Sequence, residues 1–157
     1  KSSNTPSAIA LSRQKVPYIN PKNTKENKCE NGAYVVNITS HESNVTIIAS
    51  GTEVELALNV QDKLKTNNIH SKVISMPCME LFDKQSDEYK LDLIEEESLV
   101  VTLEAGSITH WQKYIKNKGF NFGIDQFGES APYKQVYDHF NLNEENIVNY
   151  IQKKLRE

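Results

Sequence analysis

Two short runs of β-branched and aliphatic residues limit what this chain can fold into. Residues 45–50 read VTIIAS and residues 98–103 read SLVVTL, and both runs are apolar at consecutive positions. A strand with one solvated face alternates apolar and polar side chains, so these runs indicate strands that are covered on both faces. Strands of that kind occur in parallel sheets with helices on either side. The sequence therefore predicts an α/β domain.

Amphipathic segments separate the strand candidates along the chain. This alternation is typical of a mostly parallel sheet between two layers of helices. The predicted strands are residues 33–38, 45–50, 72–76, 98–103 and 120–124, and the predicted helices are 52 to about 67, short turns within 79–93, 110–118, 131–140 and 144–155.

The first predicted strand differs from the others because only a short turn, residues 40–44, joins it to the second. A parallel crossover needs about a dozen residues or more, so this first pair of strands is expected to be antiparallel. The fold prediction is a three-layer α/β/α domain with a mixed sheet of about five strands, the first strand antiparallel to the rest.

Three helix starts carry capping signals. Thr52 and Glu55 have the spacing of a capping box, in which the hydroxyl bonds the amide three residues on and the carboxylate reaches back. Ser130 precedes a helix with Pro132 in its first turn, where a missing amide costs little. Asn143 precedes the last helix. These residues therefore have a structural explanation that needs no ligand.

The N-terminal stretch does not fit the alternating pattern. Ala8 to Leu11 are apolar and predict a short strand, which ends at Ser12 and Arg13. Residues 20–31 are almost free of large apolar groups and cannot bury enough surface to offset chain ordering. They predict a linker between that strand and the domain.

Composition excludes several classes of function. The net charge of −3 argues against a nucleic-acid or anionic-membrane partner. No apolar run approaches the roughly 18 residues of a membrane span, and no secretory leader is expected, so a cytoplasmic location is predicted. Cys29 and Cys78 are isolated, which favours two free thiols over one disulfide. The four histidines lack metal-ligand spacing, and no metal site is expected.

Three loops follow predicted strands at the edge where open α/β sheets usually bind ligands. Together they form a candidate crevice for a small molecule or for an interface. Its candidate residues are Gly51, Thr52, Glu104, Gly106, Gly128, Glu129 and Ser130.

None of these loops carries a complete catalytic constellation. Glu104 and His110 are spaced as an acid–base pair, but a helix entry with a packed Trp111 explains them more simply. Ser130 lacks the GxSxG nucleophile elbow and is better explained as a helix cap. The sequence itself predicts no catalytic residue here.

Five stretches in register nevertheless resemble the C-terminal part of transketolase, and the resemblance runs from about Pro6 to the C-terminus. Cys78 and the lysine- and asparagine-rich linker depart from the family pattern without touching its functional motifs. The matching stretches are ALSRQ (10–14), ASGTEVELAL (49–58), VISMPCMELFDKQ (73–85), LEAGSITHWQKYI (103–115) and FGESAP (127–132).

The resemblance implies a piece of a homodimeric enzyme that moves a two-carbon ketol unit between sugar phosphates in the pentose phosphate pathway. Thiamine diphosphate and a divalent cation, Mg²⁺ or Ca²⁺, serve that family from upstream domains, so this piece is expected to bind neither. Residues 1–14 would end the upstream pyrimidine-binding domain, 15–30 would be a linker, and 31–157 would be the C-terminal domain. That domain is expected to pack against the upstream domains and support the dimer.

Arg13 is the one family functional residue that maps onto this chain. It resembles the arginine that binds the terminal phosphate of the sugar, a role that suits a planar, always-charged guanidinium. Other interpretations remain open at this point. The chain could be a small-molecule-binding regulatory module, a packing module, or the C-terminal domain of a related thiamine-diphosphate enzyme.

Overall fold

A mixed five-stranded sheet organises the chain in the computed structural model, which describes residues 4, 6–12, 14–19, 27–115 and 119–157. Each strand is three to five residues long. Along the chain they are β1 (Tyr34–Ile38), β2 (Val45–Ala49), β3 (Ser71–Ser75), β4 (Leu99–Leu103) and β5 (Phe120–Phe122). Their spatial order is β1-β3-β2-β4-β5.

Helices cover both faces of this sheet. They are α1 (Glu53–Thr66), α2 (Met79–Asp83), α3 (Asp87–Leu93), α4 (Tyr133–His139) and α5 (Glu144–Lys154), with 3-10 helices at Lys28–Asn31 and Thr109–Tyr114. No helix in the described ranges combines the length and the apolar character that a bilayer crossing requires.

The central strands separate two hydrophobic cores. Every residue of β2, β3 and β4 is buried. Ile47 packs with α1 and α5 on one face, whereas its neighbour Ile48 packs with α2, α3 and Trp111 on the other. The unbroken apolar runs therefore arise because successive side chains enter opposite cores. This confirms the predicted three-layer α/β/α architecture.

The first strand is antiparallel, as predicted, but it pairs with β3 rather than with β2. Tyr34 lies opposite Ser75 in the antiparallel β1–β3 ladder, while β2 and β3 are parallel. The turn after β1 thus passes over one strand position. Loop length correctly excluded a parallel crossover, but it did not determine which strand would be the neighbour.

Two of the three predicted helix caps are wrong. Thr52 has helical dihedral angles (φ −65°, ψ −28°) and makes no capping bond, because its Oγ1 donates to Glu53 Oε1 instead. Ser130 does not cap α4, which begins at Tyr133 after an extended Pro132. The residue before a proline disfavours the helical region, so the helix cannot start at residue 131.

The third cap and the remaining helices follow the sequence closely. Asn143 Oδ1 accepts from the Asn146 amide at 3.1 Å, which confirms the predicted cap of α5. The segment predicted as a helix over 110–118 is a 3-10 helix that ends at Tyr114. Residues 116–118 lie outside the described residues.

The N-terminal stretch is separate from the sheet. Residues 6–12 are exposed and form no strand, so the strand predicted at Ala8 to Leu11 is absent from this structure. A lone strand has no ladder partner for its amides and carbonyls, which explains why it does not form. Further along, Ile19 packs against the core on the α1 side of the sheet.

Gly32 combines a positive φ with a close approach of neighbouring backbone. Its φ is +81°, and an added Cβ would overlap the Phe82 amide nitrogen and the Cys78 carbonyl oxygen. At Gly51 the φ is +54°, and nothing lies within 4 Å of an added Cβ. A substitution there would meet the same kind of backbone strain but no clash.

We expect Gly32→Ala to lower the free energy of unfolding by about 3 kcal/mol or more, because strain and overlap add. The matched control Gly51→Ala should cost about 1 kcal/mol. Urea unfolding followed by far-UV circular dichroism measures both. Equal losses for the two variants would contradict the predicted clash.

Candidate functional site

The loops that follow β2 and β4 meet at one edge of the sheet. These strands are parallel neighbours with Ala49 in register with Leu103, so residues 50–53 and 104–106 leave the sheet side by side. From β2 the chain returns to β3 on one side, and from β4 it continues to β5 on the other. Open α/β sheets usually bind ligands at such a reversal, which makes this edge the first candidate site.

Glu53 is a buried carboxylate at this edge, with only 5% of the residue exposed. Its Oε1 accepts a hydrogen bond from Thr52 Oγ1 at 2.6 Å and another from the hydroxyl of Tyr137 on α4. The position in the first turn of α1 favours a negative charge. Burial, followed by the bond to Glu53, raises the pKa of Tyr137, so the phenol remains a hydrogen-bond donor at physiological pH.

Glu104 is the second carboxylate of the same edge. Its Oε2 accepts from Trp111 Nε1 at 3.1 Å, which satisfies the indole of a tryptophan that is 1% exposed. Burial raises the pKa of Glu104, and the charge of Glu53 raises it further, whereas the hydrogen bonds from Trp111 and Ser50 lower it. We call the set Ser50, Thr52, Glu53, Glu104, Trp111 and Tyr137 the carboxylate crevice.

The carboxylate crevice holds elements together rather than presenting free chemical groups. Glu53 joins α1 to α4, and Glu104 joins the end of β4 to the second 3-10 helix. Glu104 does not pair with the exposed His110 but accepts a hydrogen bond from the buried Trp111, which agrees with the simpler interpretation of a helix entry with a packed tryptophan. Among the described residues, no group of three His, Cys, Asp or Glu side chains is placed to hold a metal ion.

The structure brings together only part of the predicted site. Gly51 and Thr52 lie beside Glu104 and Gly106, and a Cβ on Gly106 would contact Glu104 Oε1 at 3.4 Å. The third predicted loop is exposed along its length and contributes no residue to the carboxylate crevice; its candidate residues are Gly128, Glu129 and Ser130. Arg13 lies outside the described residues, so its role stays a prediction.

Sequence reasoning missed the structural roles of Glu53 and Tyr137. An acidic residue in the first helical position was visible in the sequence, but such residues are usually solvated partners of the helix dipole. Glu53 accepts a hydrogen bond from Tyr137, which lies 84 positions away in the sequence. No local pattern carries that information.

A groove of about 450 Å³ lies between α1, α4 and the start of α5. Residues 14–16 of the N-terminal segment form one of its walls. Leu56 and Asn59 of α1 and Tyr133 and Lys134 of α4 form the facing walls. The groove therefore places the N-terminal segment beside the start of α4.

The fold and the site together define a three-layer α/β/α domain whose strand-end crevice is engaged by its own side chains. A family model described as "Transketolase-like TK C-terminal domain" matches residues 32–143. The chain belongs to this family, as the sequence motifs indicated.

Individual relatives agree with this assignment. The transketolase of Aquifex aeolicus is 36% identical over 156 residues, which is 98% of this chain and 23% of the relative. The Bacillus subtilis transketolase is 38% identical over 156 residues, with 96% and 23% covered. The solved Leishmania mexicana transketolase superposes with a TM-score of 0.74 at 33% identity, over 81% of this chain and 18% of that one. This chain thus spans about a fifth of the length of these three relatives.

The raised pKa of Glu104 makes the stability of the domain depend on pH in a defined direction. A carboxyl group with a raised folded-state pKa contributes stability below its unfolded pKa, and loses that contribution as the pH rises through the folded pKa. Above that value the charged, partly buried Glu104 opposes folding. A neutral amide at this position avoids the cost and still accepts a hydrogen bond from Trp111.

We expect Glu104→Gln to raise the free energy of unfolding at neutral pH, with a gain that shrinks as the pH falls through the titration of Glu104. Urea unfolding of variant and wild type at intervals between about pH 4 and pH 8 tests this. Glu129→Gln, on the exposed loop, is the matched control. A gain that stays constant across this range would show that titration of Glu104 is not its cause.

Proposed function

We propose that this chain is the C-terminal domain of a transketolase. The observation that carries the proposal is the match to the Aquifex aeolicus enzyme, which extends over 98% of this chain but only 23% of the relative. The relatives described above are all called transketolases, which favours this enzyme over related thiamine-diphosphate enzymes. The whole enzyme would transfer a two-carbon ketol unit from ketose phosphates to aldose phosphates in the pentose phosphate pathway.

The described residues do not fit the cofactor of that reaction. Thiamine diphosphate needs cationic or amide donors for its diphosphate and oxygen ligands for a divalent cation. The strand-end edge instead carries Glu53 and Glu104, whose charges would repel a diphosphate. We therefore propose that the cofactor and its Mg²⁺ or Ca²⁺ bind to the upstream domains of the longer enzyme.

The proposed role of this domain is packing. It would rest on the upstream domains of the same chain and support a cytoplasmic homodimer. The internal hydrogen bonding of the carboxylate crevice supports this role over that of a small-molecule-binding module, because its two carboxylates already accept hydrogen bonds from Tyr137 and Trp111.

Arg13 is the residue of this chain that we propose contacts substrate, through the terminal phosphate of the sugar. The chain contains two arginines, Arg13 and Arg156, and only Arg13 lies within a motif that resembles the family. A guanidinium binds a phosphate through two parallel charge-assisted hydrogen bonds, a geometry that a lysine cannot reproduce.

In the full-length enzyme, we expect Arg13→Ala to raise KM for phosphorylated aldoses about 10- to 100-fold, the loss expected for charge-assisted hydrogen bonds. The KM for an unphosphorylated aldose should not change. Steady-state ketol-transfer assays measure both, with Arg156→Ala as the matched control and Arg13→Lys as a partial rescue. An unchanged KM for the phosphorylated substrate would remove Arg13 from the site.

The 157-residue chain alone should bind no thiamine diphosphate, with or without Mg²⁺. Isothermal titration calorimetry tests this, with the full-length enzyme as the positive control. Saturable binding to the isolated chain, lost on Glu53→Ala or Glu104→Ala, would place a cofactor site at the carboxylate crevice and contradict the proposal.

A further inference from the structure

A phenylalanine projects into solvent from the loop between β5 and α4. Phe127 is 99% exposed, the highest value among the large hydrophobic residues of the described chain. Every residue from 125 to 135 is exposed as well. We call residues 125–132 the Phe127 loop. Aromatic rings are frequent anchors of protein interfaces.

The Phe127 loop is fixed at both ends, so a loose chain does not account for the exposure of its ring. At its start, the Ile124 amide donates to the Gly106 carbonyl at 2.8 Å. Asp125 Oδ1 accepts from Ser107 Oγ at 2.8 Å and from the Ile108 amide at 3.1 Å. After its far end, the helix α4 is held by the hydrogen bond from the Tyr137 hydroxyl to Glu53.

Nothing in the described domain offers Phe127 a place to pack. The two phenylalanines of β5, Phe120 and Phe122, pack against Tyr150 at centroid distances of 4.2 and 5.5 Å. Phe127 makes no ring contact with a described residue, and its neighbour Gly128 has open space around it. The loop therefore points away from the core of its own domain.

The N-terminal segment approaches the same region of the surface. Residues 14–16 lie across the groove from Tyr133 and Lys134, the first two residues after the Phe127 loop in the sequence. The segment before them exposes Ile9 and Leu11, at 83% and 86%. A domain attached ahead of these residues would begin close to the Phe127 loop.

We propose that the Phe127 loop is the surface on which this domain docks against the domain that precedes it in a longer transketolase chain. The inference rests on the proposed function, because the relatives are four to five times longer than this chain and the matched family is a C-terminal domain. Phe127 enters an apolar pocket of the preceding domain. The exposed Glu129 at the rim calls for a cationic group on the partner surface.

The test compares the full-length enzyme with the 157-residue chain by hydrogen–deuterium exchange. In the isolated chain, the amides of residues 125–132 should exchange rapidly. In the full-length enzyme they should be protected about 100-fold or more. Phe127→Ala should remove at least about tenfold of that protection in the full-length enzyme and leave exchange in the isolated chain unchanged. Leu91→Ala, which truncates a 47% exposed leucine on α3, is the matched control and should leave the loop protected.

Two results would overturn the docking proposal. The first is equally fast exchange of the loop in both proteins. The second is concentration-dependent dimerisation of the isolated chain in sedimentation experiments, abolished by Phe127→Ala, which would make a second copy the occupant. A ketol-transfer assay of the wild-type full-length enzyme distinguishes failure of the docking proposal from failure of the proposed function. Loop protection without activity would retain the docking surface and reject the proposed function. Activity without loop protection would retain the proposed function and reject the docking surface.

Discussion

The parallel pairing of β2 with β4 is the contact on which the rest of this structure depends. It places the start of α1 and the end of β4 side by side, and so brings Glu53 and Glu104 to one edge of the sheet. Two carboxylates in a partly dehydrated crevice oppose folding unless donors compensate them. The donors are Tyr137 of α4 and Trp111 of the second 3-10 helix. The hydrogen bonds that compensate the two carboxylates also hold α4 and the second 3-10 helix against the sheet edge.

This arrangement explains why the two carboxylates at a typical ligand-binding edge are already engaged by the protein's own side chains. In open α/β sheets the strand ends at a reversal of direction usually present amides or side chains to a ligand. Here the available groups bind one another, and the remaining charge at the edge is negative. The same interactions that position α4 make the edge unsuitable for a phosphorylated ligand. This agrees with the proposal that the cofactor and substrate chemistry belong to other domains.

The sequence predicted the layers and most strands because burial on both faces produces an unbroken run of apolar residues. The unbroken apolar run of β2 reflects its contacts with two cores, and Asn143 caps α5 through a bond to an amide three residues away. Features that depend on distant residues were wrong or missed. Thr52 matched a capping box, yet its hydroxyl donates to Glu53 instead. The second donor to Glu53 is Tyr137, which lies 84 positions further along the chain. The partner of β1 could not be read from loop length, since both β2 and β3 lie within reach.

The carboxylate crevice and the Phe127 loop are connected parts of one sheet edge. The loop follows β5, which is parallel to β4, so it leaves the sheet at the same edge as Glu104. Its two ends are held by the loop after β4 and by the helix that Tyr137 attaches to Glu53. A ring that is to enter a pocket on another domain loses less conformational entropy when its backbone is already fixed. The internal hydrogen bonds of the crevice lie outside the proposed interface, but they would hold Phe127 in position before docking.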